Sequence, residues 1–213
     1  MIGIIDYGMG NLFSVSKALE RLDVPYFISE NLGELMQADA LILPGVGSFR
    51  DAMERLDQSG LADMVREYAA LGKPLLGICL GMQLLFEESE ENGLSKGLGL
   101  LTGRVQRFPG VTAEGEVYKV PHMGWNRLSY LNDSPLLNDI NEDFVYFVHS
   151  YYVATDDREA LIAVSRYDVE VPAIVGKNNI FGMQFHPEKS GGLGMELLRN
   201  FTGLAAKGRR YDE

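Results

Sequence analysis

Cys79, the one cysteine of the chain, stands in Gly77-Ile78-Cys79-Leu80-Gly81. The apolar run at residues 74–78 has the character of a short buried strand, and residues 80–86 that of an apolar helix start. A nucleophile with glycine two residues to either side, at a strand-to-helix junction, has the pattern of a nucleophile elbow with sulfur in place of oxygen. Such a turn is tight and strained, and a Cβ at either glycine position meets neighbouring backbone. A thiol at a helix N-terminus faces unpaired N–H groups that favour the thiolate. The same residue type is also a common small core hydrophobe, so the elbow alone leaves both roles open.

A cysteine nucleophile needs a base held by a third group. Of the three histidines, His122, His149 and His186, the last follows a strand-like run at residues 180–185 and precedes Pro187 and Glu188. Pro187 ends the strand. Glu188 is close enough in sequence to fold back, accept a proton from the imidazole and hold its tautomer. A strand-end histidine can also simply cap a loop, and an acid at that place can simply face water. Cys79, His186 and Glu188 together meet three separate demands of one catalytic triad. Acyl chemistry further needs N–H donors aimed at a developing oxyanion. Leu80, next to the nucleophile, supplies one. Gly45-Val46-Gly47, after the strand at residues 38–43, is flexible enough to supply the other from Val46 or Gly47.

The elements that must hold these groups alternate in the first half. Strands are expected at residues 2–5, 24–28, 41–43 and 74–78, and helices at 11–22, 48–56 and 61–71. This rhythm predicts an α/β fold: an open, mostly parallel central sheet with helices on both faces. The second half reads as strands at 100–108, 116–120, 124–131, 144–153, 161–167, 171–177 and 180–185, which implies antiparallel additions to that sheet. A helix at about 192–204 follows, and the acidic run at 87–97 reads as a solvated loop. No repeat or low-complexity linker divides residues 1–213, so one domain is expected.

Composition narrows the function classes. The formal net charge is -11 and 46% of residues are hydrophobic. The one basic cluster is Lys207-Gly208-Arg209-Arg210, so nucleic acid and anionic membranes are poor partners. The lone cysteine excludes an internal disulfide and suits a reducing cytoplasm. No run reaches membrane-spanning length. Three scattered histidines give no paired metal-ligand spacing, and neither a metal nor another cofactor is expected.

Taken together the motifs resemble the class I glutamine amidotransferases, along the whole chain. Residues 77–83 are similar to that family's nucleophile motif and His186-Pro187-Glu188 to its base-and-acid motif. The resemblance implies a flavodoxin-like core and a reaction in which Cys79 attacks the side-chain amide of L-glutamine. Val46, Gly47 and Leu80 then form the oxyanion hole, and Gly47, Gln83, His149, Ser150 and Tyr151 orient the substrate. Gln83 as an exposed polar residue, or Ser150 bonded within its strand, are the plainer alternatives. Asp6-Tyr7-Gly8-Met9-Gly10-Asn11 and Pro121-His122-Met123-Gly124-Trp125-Asn126 resemble one branch of the family. That branch passes ammonia to a separate (β/α)8-barrel cyclase in histidine biosynthesis. A chain of this length has no room for the barrel, so a heterodimer is expected, with Asn11, Met123, Trp125, Tyr146 and Lys189 at the interface. For Trp125 the alternative is core packing, and for Tyr146 an ordinary strand aromatic. Rival enzymes are a sister amidotransferase of another pathway and a cysteine esterase sharing only the elbow. The esterase expects its acid ahead of the histidine, whereas Glu188 follows it. A non-catalytic interaction subunit would have no need of all three triad residues.

Overall fold

Leucine- and isoleucine-rich runs alternate with segments of helical period through the first half, and most become the element their pattern demands. The structure, a computed structural model, describes residues 1–208. Arg209 and Arg210 of the basic cluster lie outside the described residues. In chain order come β1 (Ile2–Ile5), α1 (Leu12–Arg21), β2 (Tyr26–Ser29), α2 (Leu32–Met36), β3 (Ala40–Gly45), α3 (Phe49–Ser59), α4 (Leu61–Ala70), β4 (Leu75–Cys79) and α5 (Leu80–Leu84). Local chemistry sets the ends. Asn11 Oδ1 accepts from Ser14 N at 3.1 Å to start α1, and Ser48 Oγ accepts from Asp51 N at 3.2 Å to start α3. Gly60, at φ 77°, ends α3 in the left-handed region. Helix α2, five residues long, is too short for a helical period to show in the sequence.

The second half contributes β5 (Glu88–Ser89), β6 (Ser95–Lys96), β7 (Arg104–Arg107), β8 (His122–Arg127), β9 (Ser129–Tyr130), β10 (Phe144–His149), β11 (Tyr151–Ala154), β12 (Leu161–Tyr167), β13 (Val169–Lys177), β14 (Ile180–Met183) and α6 (Gly191–Gly208). Eight strands form the central sheet in the order β2-β1-β3-β4-β14-β13-β12-β9. The first five run parallel, and β13, β12 and β9 extend the sheet antiparallel. The parallel part is an open doubly wound sheet with ligand-binding groups at its carboxyl edge.

Strand alternation splits the core into two layers. Ile5, Leu41, Leu43 and Leu75 pack with Phe49, Leu56, Val65 and Tyr68 of α3 and α4. Ile4, Ile42 and Ile78 point the other way, onto Val15 and Leu19 of α1 and Leu197, Leu198 and Phe201 of α6. Both faces are covered, which is why β1, β3 and β4 are apolar at nearly every position.

Several expectations for the second half change. Not all of its strands join the central sheet: β10 and β8 form a separate pair, and β11-β7-β5-β6 a separate four-stranded sheet. The run at 144–153 is two strands, because the chain leaves one sheet for the other at Ser150. Residues 116–120 are not a strand; a single bridge joins Val111 and Val117. The run at 100–108 keeps only β7, since Gly103, at φ 134°, breaks its start. The acidic run at 87–97 is not wholly loop, because β5 and β6 pair within it.

Candidate active site

Sheet register brings the two halves of the predicted site together. Gly45 pairs with Cys79 at the end of β3 and β4, so the residues after Gly45 pass beside the predicted nucleophile. Met183 of β14 pairs with Ile78, so His186, three residues on, emerges at the same edge. Cys79 itself has φ 55° and ψ -112°, a left-handed conformation unusual for a residue with a Cβ. Strain of this kind costs about 1–3 kcal/mol and persists only where the surroundings hold it. Here the flanking glycines permit it. A Cβ on Gly81 would lie 1.9 Å from the Leu43 carbonyl oxygen, and one on Gly77 would lie 2.4 Å from that of Gly81.

The thiol does not project into bulk water. Cys79 is buried and lines a cavity of about 410 Å³ together with Val46, Gly47, Leu80, Gln83, Glu91, Pro121, Val148, His149, Ser150, Tyr151 and His186. Each predicted oxyanion and glutamine-contacting residue is therefore on one wall or another. Glu188 sits behind the histidine: His186 Nδ1 donates to Glu188 Oε1 at 2.8 Å, and the two side chains are 4% and 1% exposed. Burial alone would lower the imidazole's pKa. Hydrogen bonds and charge from Cys79 and Glu188 outweigh it and raise the ring to about 10. A protonated imidazole beside a thiol and a buried carboxylate is the arrangement a thiolate nucleophile needs. The ring is anchored through its backbone, with Ser190 Oγ donating to His186 O at 2.6 Å and His186 N to Tyr146 O at 3.1 Å.

The predicted oxyanion loop is braced from beneath. The Tyr7 hydroxyl donates to Pro44 O at 2.9 Å, and burial raises its pKa, with the nearby Cys79 adding to the effect. A Cβ on Gly45 would meet that hydroxyl at 2.7 Å and Gly81 N at 2.9 Å. Gly47 takes φ 99°, so glycine is needed where the loop turns toward Ser48.

Gln83 is buried rather than exposed, and its donors are spent inside the protein. Its Nε2 donates to Tyr151 O at 3.0 Å and Gln184 Oε1 at 3.1 Å. Both amide protons are taken, so what Gln83 can offer a ligand is its carbonyl oxygen. Ser150 sits at the corner between β10 and β11, where its carbonyl accepts from Phe108 N at 3.2 Å while the residue lines the cavity. Sequence reasoning missed Glu91. It lay within an acidic run that looked solvated, yet its Oε2 accepts from Phe49 N at 2.9 Å and the residue lines the cavity. Burial raises its pKa, the Phe49 bond opposes that rise, and the charge of Asp51 adds to it. No local pattern separates it from Glu87, Glu88 or Glu90.

The expected interface residues do not line the cavity. Met123 and Trp125 are 54% and 57% exposed, so the single tryptophan is not core packing. Trp125 meets Tyr146 across β8 and β10 with rings 6.1 Å apart. Tyr146 N donates to Ser190 Oγ at 2.9 Å, next to exposed Lys189. Asn11 uses its side chain to cap α1. Among the described residues no helix is long and apolar enough to cross a membrane.

The glutamine amidotransferase class-I family model matches residues 3–203. The chain is 66% identical over 205 residues to the imidazole glycerol phosphate synthase subunit HisH of Geobacillus kaustophilus (strain HTA426), covering 96% of this chain and 97% of that one. It is 59% identical over 207 residues to the subunit of the same name from Bacillus subtilis (strain 168), covering 97% and 98%. A solved glutamine amidotransferase superposes with a TM-score of 0.73 at 23% identity, over 96% and 98% of the two chains. PurLQS from Thermotoga maritima gives 0.71 at 21%, over 95% and 97%. At such identities the two structures speak for the fold alone.

Proposed function

The chain belongs to the glutamine amidotransferase class-I family, and we propose that it hydrolyses L-glutamine as the glutaminase subunit of an imidazole glycerol phosphate synthase in histidine biosynthesis. The observation that carries this reading is the convergence of Cys79 with the buried His186–Glu188 pair on one cavity. The relatives that share the printed name match along nearly their whole length.

The chemistry follows from the geometry. Cys79 thiolate attacks the side-chain carbonyl carbon of glutamine. The carbonyl oxygen takes the negative charge, facing N–H groups of Leu80 and of Val46 or Gly47. The imidazolium of His186 gives its proton to the amide nitrogen, the C–N bond breaks, and ammonia leaves behind a cysteinyl thioester. A water then gives a proton to His186 and attacks the thioester. The C–S bond breaks, glutamate leaves, and the thiolate–imidazolium pair is restored. Glu188 keeps Nδ1 protonated throughout, so the other ring nitrogen handles the moving proton. At the far wall, Glu91 offers a negative charge to the α-ammonium of the substrate, and the corner at Ser150 and Tyr151 offers backbone groups to its carboxylate.

Ammonia released to water would be lost, so the reading includes a separate (β/α)8-barrel cyclase as acceptor. The exposed Met123 and Trp125, with Tyr146 and Lys189 beside them, and Asn11 of the motif at residues 6–11 are its proposed docking residues. One free thiol suits a cytoplasmic setting.

Glutamate release from glutamine, by this chain alone and with the cyclase carrying its nucleotide ligand, tests the reading, with Cys79→Ala as blank. Cysteine-dependent release that rises sharply with the liganded cyclase is the expected result. Release indifferent to the cyclase would move the chain to a sister pathway, and no cysteine-dependent release would end the glutaminase reading.

A further inference from the structure

Two buried histidines outside the catalytic triad are bonded to each other, and one of them, His149, lines the cavity. His122 Nδ1 lies 2.9 Å from His149 Nε2. Such a contact holds only if one nitrogen carries a proton and the other does not, and the groups at both ends decide which. At one end, His149 Nδ1 lies 2.7 Å from the Tyr151 carbonyl oxygen. A carbonyl can only accept, so His149 carries its proton on Nδ1 and its Nε2 is bare. At the other end, Asn126 Oδ1 accepts from Arg127 N at 2.8 Å, which turns the Asn126 amide nitrogen away. That nitrogen donates to Arg166 O at 2.9 Å and meets His122 Nε2 at 3.1 Å. His122 Nε2 is therefore the acceptor and its Nδ1 the donor. The chain of donation runs in one direction: Asn126 to His122, His122 to His149, His149 to Tyr151 O.

It ends on a group that the cavity uses. Tyr151 O also accepts from Gln83 Nε2, whose other proton goes to Gln184 Oε1, two residues before the catalytic histidine. Tyr151 O thus receives two donors, one from the relay and one from Gln83. Together they fix the carbonyl of the corner where the chain changes sheets, and they fix which way the Gln83 amide faces.

We propose that Asn126, His122 and His149 form a positioning relay for the glutamine pocket, with both imidazoles neutral and protonated on Nδ1, so that the Tyr151 corner and the Gln83 carbonyl stay aligned for substrate. This rests on the glutaminase reading and adds to it residues that do not touch the reacting atoms. Burial supports the neutral form, holding His122 near pKa 4 and His149 near 3, the latter also lowered by His122 and His186 and partly restored by its bond to Tyr151. The surroundings of His122 leave room for a clean substitution. Its ring stacks between Phe147, with centroids 4.4 Å apart, and Tyr167, at 4.1 Å.

His122→Phe keeps the stack and removes the donor, leaving His149 Nε2 buried without one. His122→Asn does the reverse, since its amide nitrogen can occupy the place of Nδ1. The relay grips the part of the pocket that holds the substrate, so its loss weakens ground and transition states alike. For His122→Phe, the KM for glutamine is expected to rise about tenfold with kcat changed less than about twofold. His122→Asn is expected to recover most of that rise. Nitrogen-15 NMR of the wild-type imidazoles gives a readout that needs no substrate: both rings should show a protonated Nδ1 and a bare Nε2 at neutral pH. A protonated Nε2 on either ring overturns the relay, whether or not the variants fold. An unchanged KM in His122→Phe, or equal losses in Phe and Asn variants, also overturns it while wild-type glutamate release leaves the glutaminase reading in place. Absence of wild-type release would instead end that reading, with the proton register still decided by the spectrum.

Discussion

Replacing Glu188 by glutamine separates what the carboxylate does from what the histidine does. The substitution keeps an oxygen that can accept from His186 Nδ1 but removes the charge. The bond concerned is 2.8 Å long, and the Glu188 side chain is 1% exposed, so water screens it little. A hydrogen bond to a charged partner contributes about 1.5–3 kcal/mol. At about 1.36 kcal/mol per pH unit this lowers the imidazolium pKa by roughly one to two units. The wild-type ring stands near 10, so the alkaline limb of kcat/KM, where the proton donor to the leaving ammonia is lost, should fall from about pH 10 to about 8–9 in Glu188→Gln. At pH 7 the imidazolium is still largely intact, and the loss of turnover should stay within about a hundredfold. His186→Ala removes the proton carrier itself and should lose more, toward the upper end of the roughly 10²–10⁴-fold that such proton transfer contributes. Glutamate release measured from pH 6 to 10.5 for the three proteins supplies the assay. Superimposable alkaline limbs for wild type and Glu188→Gln, or equal losses at pH 7 in the two variants, would refute the assignment of charge and proton to separate residues.

Three further outcomes follow from other parts of the site. Gly81→Ala should destabilise the protein by at least about 3 kcal/mol, because its Cβ meets a backbone oxygen that cannot yield; a melting temperature within a degree or two of wild type would contradict this. Glu91→Gln should raise the KM for glutamine about ten- to hundredfold with little change in kcat, since it removes a charge partner of the bound substrate and not of the transition state. Buried neutral His122 and His149 have folded-state pKa values below their unfolded 6.5, so the unfolded chain takes protons that the fold refuses. Their contribution to stability is therefore lost as pH falls below 6.5, by about 2 kcal/mol per ring at pH 5. His186, with its raised pKa, contributes fully below 6.5 and loses its part only toward pH 10. Urea midpoints at pH 7 and 5 should show a smaller acid loss in His122→Phe than in wild type; equal losses would be inconsistent with a neutral buried His122.

What the sequence could reveal depended on how local the physics was. The elbow was legible because its strain demands glycine at fixed offsets from Cys79, and those glycines sit beside it in the chain. His186 and Glu188 were legible because a single residue, Pro187, separates the base from its acid. The sheet's parallel half followed from apolar runs that must be covered on both faces. Glu91 was opaque for the opposite reason: it is held by the distant Phe49 N at the start of α3, and nothing in a run of five acidic or polar neighbours marks which one turns inward. The same holds for Ser150, whose place between two sheets was hidden by ten residues of unbroken strand character at 144–153.

The histidines sharpen this point. Read singly, His122 and His149 belong to motifs separated by more than twenty residues, and neither spacing nor residue type says that they touch. Pairing of β8 with β10 puts them opposite each other, His149 against His122 in register. Once that register exists, the carbonyl at one end and the amide at the other leave a single proton arrangement. The pair thus acquires a direction that no list of residues contains. Sequence names the groups that carry charge in the reaction, because their chemistry is intrinsic to the side chain. The groups that hold a pocket's shape are chosen by what the fold leaves unpaired, and a neutral imidazole, able to accept on one side and donate on the other, suits a buried corner with a bare carbonyl to satisfy.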